Sequence, residues 1–303
     1  MMDMTRKADV LCVGQAVIDC ITRNVYEDSR VPGRTQAESI TLNPGGDALN
    51  ESFALAQMGV CTGLMCTVGN DLAGRFIRDE AARRGIDISF ISVSESIVTP
   101  VADMFVNADG SRSSITSRAT ALPGYRPDAG RMKEAKIGSL ASLFRAPLDD
   151  PDVIRDLIGA AHAGGALICA DTKMPTLKKA GLSELGDALS KIDYLFPNET
   201  EAAYYTGKQT VEEMGEALLG MGIRHVVIKM GAKGCYACGA GERRHLGAVE
   251  VPVVDTTGAG DNFAAGFITG LLAGDDFMAC CGRGLSRAAV CVQRLGANGE
   301  DML

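Results

Sequence analysis

The chain reads as an α/β protein on a mostly parallel central sheet, and three observations predict this. From Lys136 onward, short apolar runs at 137–143, 166–170, 193–196 and 225–230 alternate with segments of helical spacing, the pattern of βαβ units. An earlier apolar run at 9–14 ends in Gly14, as an opening strand of such a sheet would. The residues just beyond the strand candidates are polar or glycine-bearing: Arg145, Asp171-Thr172-Lys173, Pro197-Asn198-Glu199-Thr200-Glu201 and Lys229-Met230-Gly231. In open α/β sheets, ligands bind beyond the carboxyl ends of the strands.

The 303 residues suffice for one large α/β domain or two small ones. No internal repeat, low-complexity tract or linker divides them, so one domain over 1–303 is expected. A hydrophobic fraction of 46% with 22% charged residues is that of an ordinary soluble globular protein. The net charge of −8 argues against a duplex nucleic-acid partner, which calls for a basic face. The first apolar run, Val10 to Val13, is too short for a signal-peptide core or a membrane span. Ten scattered cysteines fit a reducing compartment better than a disulfide framework, so a cytoplasmic protein is expected.

Along the chain, the polar segment Arg23 to Ser39 shows no clear period. Asn43-Pro44-Gly45-Gly46-Asp47-Ala48-Leu49-Asn50 then precedes Phe53, Leu55, Ala56 and Met58, with Gly59 as a stop. That is a glycine turn opening a helix; its N–H groups either meet a polar ligand or only feed the helix. Residues 61–68 predict another strand. Val101–Val106 and Ser113–Thr116 flank Asn107-Ala108-Asp109-Gly110, a strong hairpin signal.

The richest stretch lies near the far end. A β-branched run (Val249, Val251, Val253, Val254) leads into Asp255-Thr256-Thr257-Gly258-Ala259-Gly260-Asp261-Asn262-Phe263. Phe263, Phe267 and Leu271 then form one stripe of an amphipathic helix, and the small residues Ala264, Ala265, Gly266 and Gly270 allow close packing on a neighbour. Gly258 and Gly260 bare the backbone where the first helical N–H groups lack partners, a ready anion site. Asp261 is fixed in the same turn. An acceptor-only carboxylate beside an anion hole suits a base that takes a proton from a hydroxyl receiving a phosphoryl group. An ordinary helix start with a dipole-matched Asp is the plainer alternative.

Asp255 to Phe263 resembles the C-terminal signature of the ribokinase-like (PfkB) family of carbohydrate kinases, and the likeness extends over nearly the whole chain. The resemblance implies a three-layer α/β sandwich with a small β-sheet lid, here inserted at about 15–42 and 99–118. It implies Asp261 as catalytic base and Gly258, Ala259 and Gly260 as the cradle for the charge on the transferring phosphoryl group. Asp19 and the Gly45, Gly46 and Asn50 motif would contact sugar hydroxyls. Asn198 and Glu201 match the family's N-x-x-E motif, which holds Mg²⁺ and phosphate largely through water; the bare pattern otherwise marks a capped helix start. Lys229 to Cys235 resembles the nucleotide loop, in which Gly231 and Gly234 let backbone approach ATP; alone it could be a hairpin. Asn298 would edge the adenine. Asp255 and Thr257 match positions that bind a monovalent cation such as K⁺ in many relatives. The expected cofactors are ATP and Mg²⁺, and the expected partners are a small sugar and a second copy docked through the lid.

Departures from the family pattern matter too. Position 47 carries Asp where ribokinase has Lys. Asp171 to Pro175 matches only imperfectly the D-x-N-x-R of relatives that act on keto-acid sugars. Arg145 and Lys173 follow two successive predicted strands; one of them is expected to pair with a carboxylate or phosphate on the acceptor. Contact with ATP phosphate or solvent stays open.

A nucleoside kinase of the same fold would favour aromatic stacking, and only 5% of residues are aromatic. A catalytically dead sugar sensor would keep the pocket without the machinery. The first strand is not followed by G-x-G-x-x-G and no G-x-x-x-x-G-K-[ST] occurs, against a Rossmann oxidoreductase and a Walker-type kinase. Cys235 and Cys238 fall three apart in a predicted strand and so on opposite faces, which reads as buried thiols rather than zinc ligands. Cys280-Cys281 reads as core packing, and His162, His225 and His245 show no ligand spacing.

Overall fold

The computed structural model describes residues 8–27, 33, 35–106, 112–116, 127–175 and 181–298. The chain runs through β1 (Ala8–Val13), β2 (Val17–Glu27), β3 (Thr35–Gly45), α1 (Asp47–Gln57), β4 (Thr62–Met65) and β5 (Thr67–Gly69). Then come α2 (Leu72–Arg83), β6 (Ser92–Ser94), β7 (Val101–Val106), β8 (Arg112–Thr116), β9 (Ala135–Leu143), α3 (Pro151–Ala163) and β10 (Leu167–Thr172). The described chain closes with β11 (Tyr194–Leu195), α4 (Glu199–Thr206), α5 (Val211–Gly220), β12 (His225–Lys229), β13 (Cys235–Gly239), β14 (Glu242–Leu246), α6 (Ala259–Ala273) and α7 (Phe277–Val292).

Eight strands form the central sheet in the order β14-β13-β12-β11-β10-β9-β1-β4. From β12 to β4 every pairing is parallel; β13 and β14 add an antiparallel edge. A parallel sheet must be covered on both faces, and two apolar clusters do this. Val153 and Leu157 of α3, Ala202 of α4 and Leu218 of α5 belong to one. Phe53 of α1, Ile77 of α2, Phe267 of α6 and Leu285 of α7 belong to the other. The molecule is thus a three-layer α/β sandwich. Cys235 lies in one cluster and Cys238 in the other, the opposite-face outcome of three-residue spacing along β13. All ten cysteines are free thiols. Small residues let α6 and α7 pack closely: a Cβ on Gly266 would stand 2.7 Å from the Arg283 carbonyl, and one on Gly270 would stand 2.9 Å from Cys280 Sγ.

A second, four-stranded sheet in the order β3-β2-β7-β8 is built from Val17–Glu27, Thr35–Gly45, Val101–Val106 and Arg112–Thr116, close to the segments expected for the lid. β7 and β8 pair antiparallel as the hairpin signal requires, while its turn, Asn107 to Gly110, lies outside the described residues.

Two elements differ from expectation. The strand predicted over 61–68 breaks at Cys66, because β5 leaves the main sheet to pair with β6. Between β10 and β11 the covering segment Leu182–Lys191 is 3₁₀ rather than α, kinked where Gly186 takes φ 52°. The β-branched run 249–254 forms no strand; Val253 is 64% exposed, and the edge of the sheet is β14, whose sequence ERRHL carries no apolar alternation to announce it.

Candidate active site

A cleft of about 1490 Å³ opens beyond the carboxyl ends of β9 to β12, between the central sheet and the small one. Its walls hold Gly258, Ala259, Gly260 and Asp261 from the α6 start, Asp19 from β2, and Gly46, Asp47 and Asn50 from the α1 start. Arg145, Asp171, Lys173, Asn198, Glu201, Lys229, Gly231 and Gly234 line it as well. Almost every residue predicted for the site therefore converges.

The α6 start is the most constrained part. Gly258 caps the helix at φ 74°, and a Cβ there would stand 2.2 Å from the Cβ of Ala297, so only glycine fits. Asn262 braces the turn from behind. Fully buried, it donates through Nδ2 to the carbonyls of Gly258 (3.0 Å) and Ala297 (3.3 Å), and its Oδ1 accepts from Arg287 Nε at 3.0 Å. In front of the turn, a Cβ on Gly260 would meet Lys229 Nζ at 3.1 Å. That ammonium is held by an ion pair to buried Asp171. The first-turn N–H groups of Gly260 and Asp261, with a lysine at the same spot, make an anion hole; that of Ala259 donates to the Thr256 carbonyl at 3.2 Å.

Asp261 is 7% exposed and accepts a hydrogen bond from Asn50 Nδ2 at 2.8 Å. Burial, and then the charge of Asp47, push its carboxyl up to about 7; Lys173 and the Asn50 hydrogen bond pull the other way. Asp19 is pushed up to about 6 by burial and by Asp47. Lys173 Nζ lies 3.4 Å from Asp47 Oδ1, and Asp47 also accepts from the Ser142 hydroxyl. Asp47, first among the neighbouring acids, holds Lys173 well above the usual lysine range.

Three predicted residues stand outside the described lining of the cleft. Gly45 is absent from the wall; a Cβ there would stand 2.1 Å from Asp19 Oδ2, so its role is to make room for that carboxylate. Asp255 accepts from the N–H groups of Thr257 (2.8 Å) and Gly296 (2.9 Å), tying the loop beside the anion hole; Thr257 itself lines the cleft. Asn298, expected at the adenine edge, is not among the described lining residues. Its amide donates to Asn50 Oδ1 at 2.6 Å and to the Pro44 carbonyl at 3.3 Å, which places Asn298 against the α1 start. That bond fixes the Asn50 amide so that its nitrogen faces Asp261.

Asn198 and Glu201 form a reciprocal capping box at the start of α4, with bonds of 2.9 and 3.0 Å, and Glu201 Oε2 also accepts from Thr172 Oγ1 at 3.0 Å. The helix-cap alternative is realised, and both residues also line the cleft. Among the described residues, no group of three or more His, Cys, Asp or Glu could hold a metal directly. Sequence reasoning missed the Asp171–Lys229 pair, the bracing by Asn262 and the acid Glu51. Glu51 is 1% exposed beneath the site, and burial pushes it up to about 8. Its only signal was an acid on the apolar side of a helix, between Leu49 and Phe53.

A model of the pfkB family carbohydrate kinases matches residues 7–302. The chain belongs to that family. It is a carbohydrate kinase, and it resembles the ribokinase of Haemophilus influenzae at 29% identity over 276 residues, 88% of this chain and 87% of that one. Its structure resembles that of Arabidopsis thaliana ribokinase complexed with ribose and ATP, with a TM-score of 0.79, 25% identity, and coverage of 96% and 94% of the two chains. A putative ribokinase II of E. coli in complex with ATP and Mg²⁺ matches with a TM-score of 0.78 at 25% identity, again over 96% and 94%. Among the described residues, no helix of this kinase is long and apolar enough to cross a membrane.

Proposed function

We propose that this kinase phosphorylates a hydroxyl of a small sugar or sugar derivative (a ketose, pentose or sugar acid) at the expense of ATP, with Asp261 as general base. The observation that carries the reading is the placement of a buried, Asn50-bonded carboxylate in the same turn as the anion hole. The acceptor hydroxyl would rest against Asp19 and Asn50, and its proton would pass to Asp261 as the oxygen attacks. A carboxyl near 7 suits that task at neutral pH, since it is both available and basic enough to take the proton. The amides of Gly258 to Gly260 and the Lys229 ammonium would hold the charge that develops on the transferring group.

Bound MgATP supplies the phosphoryl group and the divalent charge that neutralises its oxygens. The cleft fits it: Gly231 and Gly234 flank its far wall, with Val251, Leu285, Ala288 and Val292 as apolar surface for a base. Asn198 and Glu201 would hold Mg²⁺ through its own waters, because the capping bonds already occupy their inward lone pairs. A K⁺ ion, where one is used, would rest beside Asp255 and Thr257; replacing K⁺ by Na⁺ in the assay tests this.

The small sheet is proposed as a lid. One of its faces turns Val17, Asp19, Ala102 and Thr116 to the cleft. The opposite face carries Ile40, Leu42 and Ile115, at 66%, 60% and 67% exposure. Apolar surface of that kind wants cover, and a second copy of the kinase is the proposed partner; Ile40→Glu with Leu42→Glu should leave a monomer in sedimentation. A reducing, cytoplasmic setting agrees with the free thiols.

The nucleoside-kinase reading is weaker, since Phe263 is the sole aromatic residue among the described lining residues. A sugar sensor would have no need of the Asp261 turn. The Asp261→Asn variant tests the proposal: it should keep its fold and its affinity for MgATP while turnover falls by at least about 100-fold. Near-normal turnover would remove Asp261 as the base.

A further inference from the structure

We infer that the acceptor of this kinase carries an anionic group, a carboxylate or a phosphate, and that Arg145 is the residue that binds it. The inference rests on the sugar-kinase reading above and names its substrate class.

The first observation concerns charge. Three cations line the cleft among the described residues: Arg145, Lys173 and Lys229. Lys229 is paired with Asp171 and Lys173 with Asp47. The Arg145 side chain has no hydrogen bond or ion pair with any described residue, so its five N–H donors look to water or ligand. A planar guanidinium matches a carboxylate or phosphate with two parallel hydrogen bonds, whereas the hydroxyls of a neutral sugar are already served by Asp19 and Asn50.

The second observation is how Arg145 is presented. Phe144, just before it, is buried with φ 67°, a backbone region that a bulky residue rarely enters. Phe144 N–H donates to the Leu148 carbonyl at 2.7 Å, Leu148 N–H to that of Arg145 at 2.6 Å, and Arg145 N–H to that of Ser142 at 3.2 Å. The turn is also tied to the segment just past β10, where Lys173 N–H donates to the Leu143 carbonyl at 3.2 Å. A loop over-determined in this way holds a strained residue so as to aim the next side chain.

The third observation is position. Ala146 and Pro147 share a small crevice with Gln15 and Pro100, at the base of the small sheet, so the turn belongs to the acceptor end. The transfer end has its own cation in Lys229, beside Gly260. A separate cation at the transfer end leaves Arg145 to the acceptor.

The test measures ADP release by the full-length kinase with saturating MgATP across acceptors in matched sets. D-gluconate and 2-keto-3-deoxygluconate form the carboxylate arm, D-ribose 5-phosphate and D-fructose 6-phosphate the phosphate arm, and D-glucose, D-ribose and D-fructose the neutral arm. One anionic arm should exceed its neutral counterparts in kcat/KM by about 10- to 100-fold, the worth of a charge-assisted pair; which arm does so identifies the group. Arg145→Ala should raise KM for that acceptor by a similar factor and leave KM for ATP unchanged, and Arg145→Lys should recover part of the loss. Circular dichroism on both variants guards against misfolding. Preference for a neutral sugar, with Arg145→Ala without effect, overturns the inference and leaves the kinase reading standing. A rise in KM for ATP in place of the acceptor also overturns it, moving Arg145 to the nucleotide. ATP turnover with no acceptor in any arm overturns the inference and the sugar-kinase reading together.

Discussion

At the transfer end of the cleft, Gly258, Ala259, Gly260 and Asp261 are consecutive and are braced from behind by Asn262, itself held by Arg287. The acceptor end is assembled from Asp19, Asp47, Arg145 and Lys173, drawn from the second sheet, the α1 start and two strand ends. The first end is set by local backbone geometry; the second is set by which charges the fold brings face to face. On the proposed reading, such a division would let one turn perform the same phosphoryl transfer while distant substitutions change what is phosphorylated. Asp47 belongs to both, since it pairs with Lys173 and also raises Asp19 and Asp261.

Breaking the transfer end should have the largest effect. Gly258→Ala places a methyl 2.2 Å from Ala297 Cβ at φ 74°. We expect turnover to fall by about 100-fold or more, as when a preorganised anion-binding donor is lost, with a thermal midpoint several degrees lower; wild-type kinetics in Gly258→Ala would show that the turn adapts. Smaller shifts should follow from charges at the acceptor end. The base must be ionised to act, so kcat/KM should rise with pH through about 7. Asp47→Asn removes a charge that raises Asp261 and should move that limb to lower pH. Lys173→Met removes one that lowers it and should move the limb to higher pH. Equal profiles in both variants would separate Asp261 from these neighbours. The smallest effect belongs to Asn298→Ala, which frees the Asn50 amide. A loss of a few-fold in kcat/KM for the acceptor is expected, about 1 kcal/mol for one hydrogen bond, with KM for ATP unchanged; a change in KM for ATP would return Asn298 to the adenine.

The same division explains what the residues revealed before the structure. The α6 turn was legible because its chemistry is contiguous: glycines at a helix start, an acid in the first turn, and a Phe263–Phe267 stripe. The sheet was legible from strand–helix alternation, since buried parallel strands such as LICADT carry an unmistakable apolar run. Pairings between distant segments were not. Nothing in Asp171 or Lys229 alone announces their ion pair, 58 positions apart. Asn298 was misplaced for the same reason, its partner Asn50 lying 248 positions away. β14 stayed hidden because an exposed edge strand needs no apolar face.

The most direct test of Asp261 as the proton acceptor, set between anion hole and acceptor, is the pH dependence of kcat/KM for the best acceptor, wild type against Asp261→Asn. The wild-type kinase should show one ionisation near 7 with activity on its alkaline side, and the variant should lose both that limb and most of the rate. A variant that retains the limb, or a wild type flat from pH 5 to 9, would contradict it.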